Sequence, residues 1–142
     1  GVFAFGAGGI GPTANSVSRA GSTLAVGQSV GAAAVGGFRS FRAFKRAMGP
    51  AGLGRQWHHI VEQTPGNIAQ FGPEAIHTGG NVVRAPEVAH RQISAFYSSI
   101  QPQVTGSSKQ TVRQWIGTQS FDQQAAFGYR ILEQFGGPWP GM

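Results

Sequence analysis

The four histidines of this 142-residue chain stand at positions 58, 59, 77 and 90. They share a window of 33 positions with Glu62, Glu74 and Glu87, three of the five acidic residues. Imidazole, with an ordinary pKa of about 6.5, can take a proton from water near neutral pH or offer a lone pair to a metal. Gathering such groups points to a metal site or a general base. Cleavage of a phosphodiester needs both: a nucleophile made from water, and a cation at the crowded phosphate charge and the leaving oxygen. Imidazole ligands suit Zn, Ni, Cu or Fe, whereas a shell filled largely by water and phosphate suits Mg or Mn, and both stay open here. A lone histidine is most often an ordinary strand or helix-surface residue. The His58-His59 pair followed by Asn81 and His90 is a pattern that ordinary placement explains poorly.

These side chains must be held by local structure. Residues 56–61, Gln-Trp-His-His-Ile-Val, form a short aromatic and β-branched run that predicts a strand, and residues 81–84 predict a second. A helix is expected from Pro86, with Glu87 in its first turn and His90, Ile93, Tyr97 and Ile100 near one face. The order is strand, long loop, strand, helix. Neighbouring residues on a regular strand point to opposite faces. His58 and His59 can therefore share a site only where the strand ends or bends, and then in different roles.

In order and spacing, His58-His59, Asn81 and His90 resemble the HNH or ββα-metal nucleases, also called His-Me fingers. They resemble in particular the bacterial polymorphic-toxin versions (Rhs or contact-dependent effectors), here with a Trp-His-His motif. The resemblance covers roughly residues 55–100. It implies that His58 and His90 hold one divalent ion (Mg, Mn, Zn or Ni), that His59 is the general base, and that Asn81 braces the loop and the base. It also implies DNA rather than RNA as the favoured substrate, delivery as a secreted effector to the cytoplasm of a target cell, a larger carrier N-terminal to this segment, and a cognate immunity protein. One turn after His90, where the related toxins carry a third histidine ligand, this chain has Ser94. Water, substrate phosphate, Asn81 or Glu62 would then complete the shell. The loop between His59 and Asn81 is longer than in the nuclease colicins.

Other candidates flank this set. His77, close in sequence to Asn81, is a catalytic, loop-bracing or substrate-binding candidate. Glu62 and Gln63 follow the histidine strand and could orient an imidazole. Arg84 and Arg91 are placed to stabilise charge on the scissile phosphate.

Composition bounds the rest. A chain of this length is about one domain. With no cysteine, disulfides and thiolate zinc sites are excluded. Net charge is +6, unevenly spread: residues 1–54 hold Arg19, Arg39, Arg42, Lys45 and Arg46 and no acid, whereas residues 55–142 hold six basic and five acidic groups. Such an excess attracts polyanions through counterion release and favours nucleic acid over the alternatives of an acidic protein partner or a solvated surface.

Residues 1–37 read as a Gly/Ala-rich linker or pre-toxin spacer, 13 of the 23 glycines falling before residue 55. The apolar run 23–38 is shorter than the ~20 residues needed to span a bilayer, so no stable membrane span is expected. Residues 38–142 read as the toxin domain, with a ββα core at about 55–101 and a helical scaffold at 107–136. Phe38, Phe41 and Phe44 recur every three residues beside Arg39, Arg42, Lys45 and Arg46, a short basic amphipathic helix ended by Gly49-Pro50. Its aromatic side is expected on the core and its basic side on a phosphate backbone or a membrane surface. The stretch 64–80 is expected to be a loop with one helical turn at 73–77. Residues 108–117 predict a helix with Lys109 and Arg113 exposed. Ser120 with Gln123 predicts the capped start of another, stopped by Gly136-Gly137.

The fold expected is mainly helical α+β, a small ββα-metal core with flanking helices. The function expected is a metal-dependent endonuclease, an enzyme. The alternatives are a non-enzymatic translocation or binding module with a structural metal, and a metal-independent RNase toxin.

Overall fold

The computed structural model describes residues 37–136. The spacer reading of residues 1–37 therefore falls, except for Gly37, outside the described residues. The architecture is α+β: a two-stranded antiparallel hairpin and several helices. Their order is α1 (Phe41–Met48), β1 (Arg55–His59), α2 (Pro65–Phe71), α3 (Pro73–Ile76), β2 (Val82–Pro86), α4 (Glu87–Tyr97), α5 (Pro102–Thr105), α6 (Val112–Ile116) and α7 (Phe121–Gln134).

The hairpin pairs Trp57 with Arg84, His58 with Val83 and His59 with Val82. It is shorter at the His59 end than the sequence predicts, because the Val61 N–H turns from the ladder to the side-chain oxygen of Asn81, at 2.9 Å. It is longer at the other end, where Pro86 still lies opposite Arg55. Pro86 is therefore the extended residue preceding α4 and not its first helical residue. Its missing N–H costs nothing at a strand end.

Alternation gives the hairpin two apolar faces. Val83, Ala85 and Ile60 face α4, α6 and α7 in a core with Ile93, Phe96, Tyr97, Val112, Phe127 and Ile131. Trp57 and Val82 face α1 in a smaller cluster with Phe44 and Ala51, against which Phe38 and Phe41 pack. Helix α1 is capped by Ser40 Oγ, which accepts from the Ala43 N–H at 3.0 Å, and it ends at Gly49 with φ +80°. The Trp57 indole N–H donates to the Gly49 carbonyl at 3.0 Å and fastens the helix end to β1.

Two segments differ from expectation. Residues 65–71 are helical, not loop: Thr64 Oγ1 accepts from the Asn67 N–H at 3.1 Å and Pro65 occupies the first turn. The Pro-Gly pair that reads as a turn is here a helix start. Helix α6 begins at Val112, four residues later than expected, because Ser107 Oγ accepts from the Lys109 and Gln110 N–H groups and holds that stretch as a turn. Arg113 on α6 is not a solvent cation: its guanidinium grips Glu62, with Nη2 donating to Oε2 at 2.8 Å. Ile100, expected on the α4 face, lies beyond that helix, pairs with Thr111 and is exposed. The capping box of Ser120 and Gln123 is present at the start of α7.

Helix α7 lies hard against the chain just past the histidines. A Cβ added at Gly128 would sit 2.6 Å from the Ile60 carbonyl oxygen. Alanine in a helix interior is worth about 1 kcal/mol over glycine, but overpacking against backbone costs about 1–3 kcal/mol. Gly128→Ala is therefore expected to be net destabilising. Urea unfolding followed by circular dichroism checks this, and an unchanged or raised midpoint would show that α7 is not clamped on β1.

Candidate functional site

The end of β1 opens into a cavity of about 200 Å³ lined by His58, His59, His90, Ser94, Glu62 and Gln63, with Phe41 and Trp57 in its wall. His58 and His59 leave β1 on opposite faces and still reach one cavity, because the strand stops at His59. His58 turns toward α4, where its Nδ1 lies 3.3 Å from Nδ1 of His90. His59 turns toward α1 and α3, where its Nε2 lies 3.2 Å from Nδ1 of His77 and its ring sits edge-on to Phe41, centroids 4.8 Å apart. The four histidines thus form two pairs, one on each side of the strand end.

The His58–His90 separation has two chemical meanings. One neutral imidazole can donate its N–H to the other, or both can face one cation. Two tetrahedral ligands with metal–nitrogen bonds of about 2.0–2.1 Å have their nitrogens about 3.3 Å apart, so the pair fits a divalent ion. Among the described residues no group of three or more His, Cys, Asp or Glu side chains is gathered at one point. Two of the ligand candidates expected to complete the shell have other work. The Glu62 carboxylate takes three hydrogen bonds from Arg113, and the amide of Asn81 is spent on backbone. Ser94, water and substrate remain for the other positions.

Burial sets the protonation of the site. The His58 pKa is lowered to about 4 by desolvation and by the charge of His90, and that of His59 to about 3 by desolvation and then by His77, His58 and His90. Desolvation also lowers His77, where Glu74 acts in the opposite direction, and His90. All four are held neutral at pH 7, the form that binds a metal or accepts a proton. The Glu62 carboxyl is raised by burial against the opposing pull of Arg113.

The remaining candidates sort by position. His77 lies behind His59, outside the cavity lining, and caps α3; its carbonyl accepts from the Phe38 N–H at 2.9 Å. That makes it a support for His59 and not a group that meets substrate in the cavity. Asn81 hydrogen-bonds to no imidazole. Its Oδ1 accepts from the Val61 N–H, while Nδ2 donates to the Val61 and Ile76 carbonyls, both at 3.0 Å. It ties the chain two residues past His59 to the end of the loop. Glu62 was expected to orient an imidazole and instead pairs with Arg113, whose fork matches a carboxylate better than a ring nitrogen does. Gln63 lies exposed at the cavity edge. Arg91 points to solvent and pairs with Glu87, because the residue after His90 is turned about 100° away on the helix. Arg84 stacks on Trp57, its guanidinium carbon 4.5 Å from the ring centroid, and stays outside the cavity lining.

Sequence reasoning missed Phe41 as the wall behind His59 and Arg113 as the partner of Glu62. It also missed the buried amide pair of Asn67 and Gln124, joined reciprocally at 3.0 and 3.1 Å. The Phe38/Phe41/Phe44 periodicity marked a packing face for the first. The other two join residues 51 and 57 positions apart, for which no local signal exists.

No family model, curated protein or solved structure matches the chain.

Two measurements check this geometry. Asn81→Ala leaves one buried N–H and two carbonyls without their partner, at about 1–3 kcal/mol for each group stranded dry. It is expected to lower stability by several kcal/mol, and a loss under about 1 kcal/mol would contradict the brace. The second concerns pH. The folded pKa values of His58 and His59 lie below the unfolded value of 6.5, so the unfolded chain binds the extra protons. Above pH 6.5 these residues contribute no pH dependence. As pH falls from 6.5 toward about 4, each withheld proton costs stability at about 1.4 kcal/mol per pH unit. Urea titrations of metal-free protein at stepped pH are expected to show that decline, and a flat profile would place both rings in water.

Proposed function

We propose that this chain is a metal-dependent phosphodiester hydrolase, an endonuclease with DNA as its favoured substrate. The observation that carries the reading is the His58–His90 nitrogen pair, set at the spacing of two ligands on one ion, beside a separate neutral imidazole, His59, on the same cavity. His58 and His90 would hold the ion. When bound, it supplies positive charge to the phosphate oxygens and to the leaving oxygen.

This chain's own residues do the rest. His77 engages Nε2 of His59, which leaves Nδ1 as the nitrogen to take a proton from a water. The water oxygen then bonds to phosphorus as the ester P–O bond opposite breaks. Asn81 holds the chain beyond His59 so that the imidazole does not swing with the loop. Ser94 and Gln63, at the cavity wall and edge, are polar groups within the same space for water or phosphate. The toxin setting, meaning delivery to a target-cell cytoplasm from a larger carrier with an immunity protein as antidote, follows from the resemblance of the His-His/Asn/His order and is proposed on that ground.

A second reading draws on the two neutral imidazoles of His58 and His59 that line one cavity: a metal-independent RNase in which paired imidazoles act as base and acid. Incubation with plasmid DNA and with RNA, each with and without chelator, separates the two. Nicking of DNA that chelator abolishes and added divalent ion restores is expected. His59→Ala is expected to reduce it about 10²–10⁴-fold while metal content is kept, and His90→Ala to weaken metal binding as well. Full cleavage by His59→Ala would defeat the mechanism, and RNA cleavage that survives chelator would favour the second reading.

A further inference from the structure

We infer that the outer face of α1, with Arg84 beside its C-terminal end, is a rail for the phosphate backbone of a nucleic-acid substrate, and that Lys45 is the cation of α1 nearest the cavity. This deepens the hydrolase reading and rests on it.

The charge pattern is one-sided. Arg39, Arg42, Lys45 and Arg46 are all exposed. Among the described residues none of them has an ion-pair partner, whereas Arg91 is paired with Glu87 and Arg113 with Glu62. Residues 1–54 contain no acid. Arg42 stands three residues before Lys45 and four before Arg46, and like charges at those spacings on a helix repel. A helix assembled in this way is relieved by an external polyanion.

Position gives the charge its purpose. Fully buried Phe44 fixes the inner side of α1. At 100° per residue, Arg42 and Arg46 then face outward and Lys45 comes round beside Phe41. The Lys45 ammonium lies 4.5 Å from the Phe41 ring centroid, and that ring is both cavity wall and neighbour of His59. Lys45 is one aromatic ring away from the proposed base. At the C-terminal end of the same helix, where Lys45 and Arg46 form the last turn, Arg84 lies over Trp57, whose indole N–H is bound to Gly49. The cations therefore run along one helix that borders the cavity, where they can hold phosphates on either side of the one being cut. Guanidinium forks match phosphate oxygens two at a time, and contacts of this kind position a strand without reading its sequence.

The test uses the whole chain with chelator present, so that nothing is cut, and a short labelled DNA duplex read by fluorescence anisotropy. With about four phosphates neutralised, log affinity is expected to fall against log salt with a slope of roughly −3 to −4. Lys45→Ala should reduce that slope by about one, and the double variant Arg42→Gln/Arg46→Gln by about two. Lys109→Ala, on the loop between α5 and α6, should leave it unchanged. Equal losses in all three variants, or an unchanged slope in the α1 variants with circular dichroism intact, would overturn the rail. So would polyglutamate that competes as well as DNA at equal charge, which would make the face a dock for acidic protein. Hydrolysis of bis(4-nitrophenyl) phosphate, too small to reach along α1, is measured in parallel in the wild-type and Lys109→Ala proteins and should be the same in both. If wild-type protein hydrolyses neither ester nor DNA, the hydrolase reading fails, while a salt slope that drops in the α1 variants still upholds the rail.

Discussion

Adjacent side chains on a strand diverge, so two neighbouring histidines can serve a single cavity only where the ladder stops. In this chain it stops at His59, because Asn81 spends its side chain on the backbone of Val61 in both directions and on the Ile76 carbonyl. A carboxamide can accept and donate at once, which a carboxylate cannot. It thereby replaces the next rung of the sheet with a knot between the strand and the loop. Every feature of the site depends on that stop: His58 swings to α4, His59 to α3, and the space left between them is the cavity.

The same stop places the imidazoles in surroundings that keep them uncharged in a chain of net charge +6. Burial removes their protons, and the acid nearest the cavity, Glu62, is matched by Arg113. That ion pair also takes Ser98, the residue that ends α4, through Nη1 at 2.6 Å and lies beside Tyr97, whose hydroxyl burial holds well above its ordinary pKa. Breaking one member of this half-buried pair would leave the other charge partly desolvated and without its partner. Glu62 therefore stays committed, and the cavity wall offers neutral rings, a hydroxyl and an amide to whatever enters. Such a wall admits an anion more readily than one lined by free carboxylates.

How much of this the sequence could disclose follows from the range of each interaction. The hairpin and α4 were legible because alternation, a capping proline and 3.6-residue periodicity act within a few positions, and so were the capping box of α7 and the glycine end of α1. Strand limits slipped by a residue or two, since the Asn81 side chain decides one end and a proline still within the ladder the other. Helix α2 was hidden because Pro65-Gly66 serves turns and helix starts alike, and only the Thr64 cap tells them apart. The pairing of histidines as 58 with 90 and 59 with 77 was half legible: strand alternation separates the neighbours, but nothing local says that His77 rather than Asn81 meets His59. Arg91 and Arg113 exchanged roles for the same reason. A cation's partner is set by what packs opposite it, here Glu87 one turn away and Glu62 across the fold.

The two apolar faces of the hairpin divide the labour unequally. The larger core joins β2, α4, α6 and α7 and would hold His58 and His90 together on its own. The smaller cluster joins α1 to Trp57 and Val82, and it is this one that stands behind His59. An eight-residue helix has no independent stability in water, and α1 adds crowded positive charge to that weakness. It exists because burying Phe44 gains about 2–3 kcal/mol and the Trp57 N–H secures its last turn. The proposed base is thus backed by the less secure half of the molecule. An anion drawn along α1 would offset the repulsion that opposes that helix and, by keeping it docked, would keep Phe41 and His77 in place around His59. Substrate binding and completion of the site would then share one source of free energy, the neutralisation of a helix that has no acid of its own.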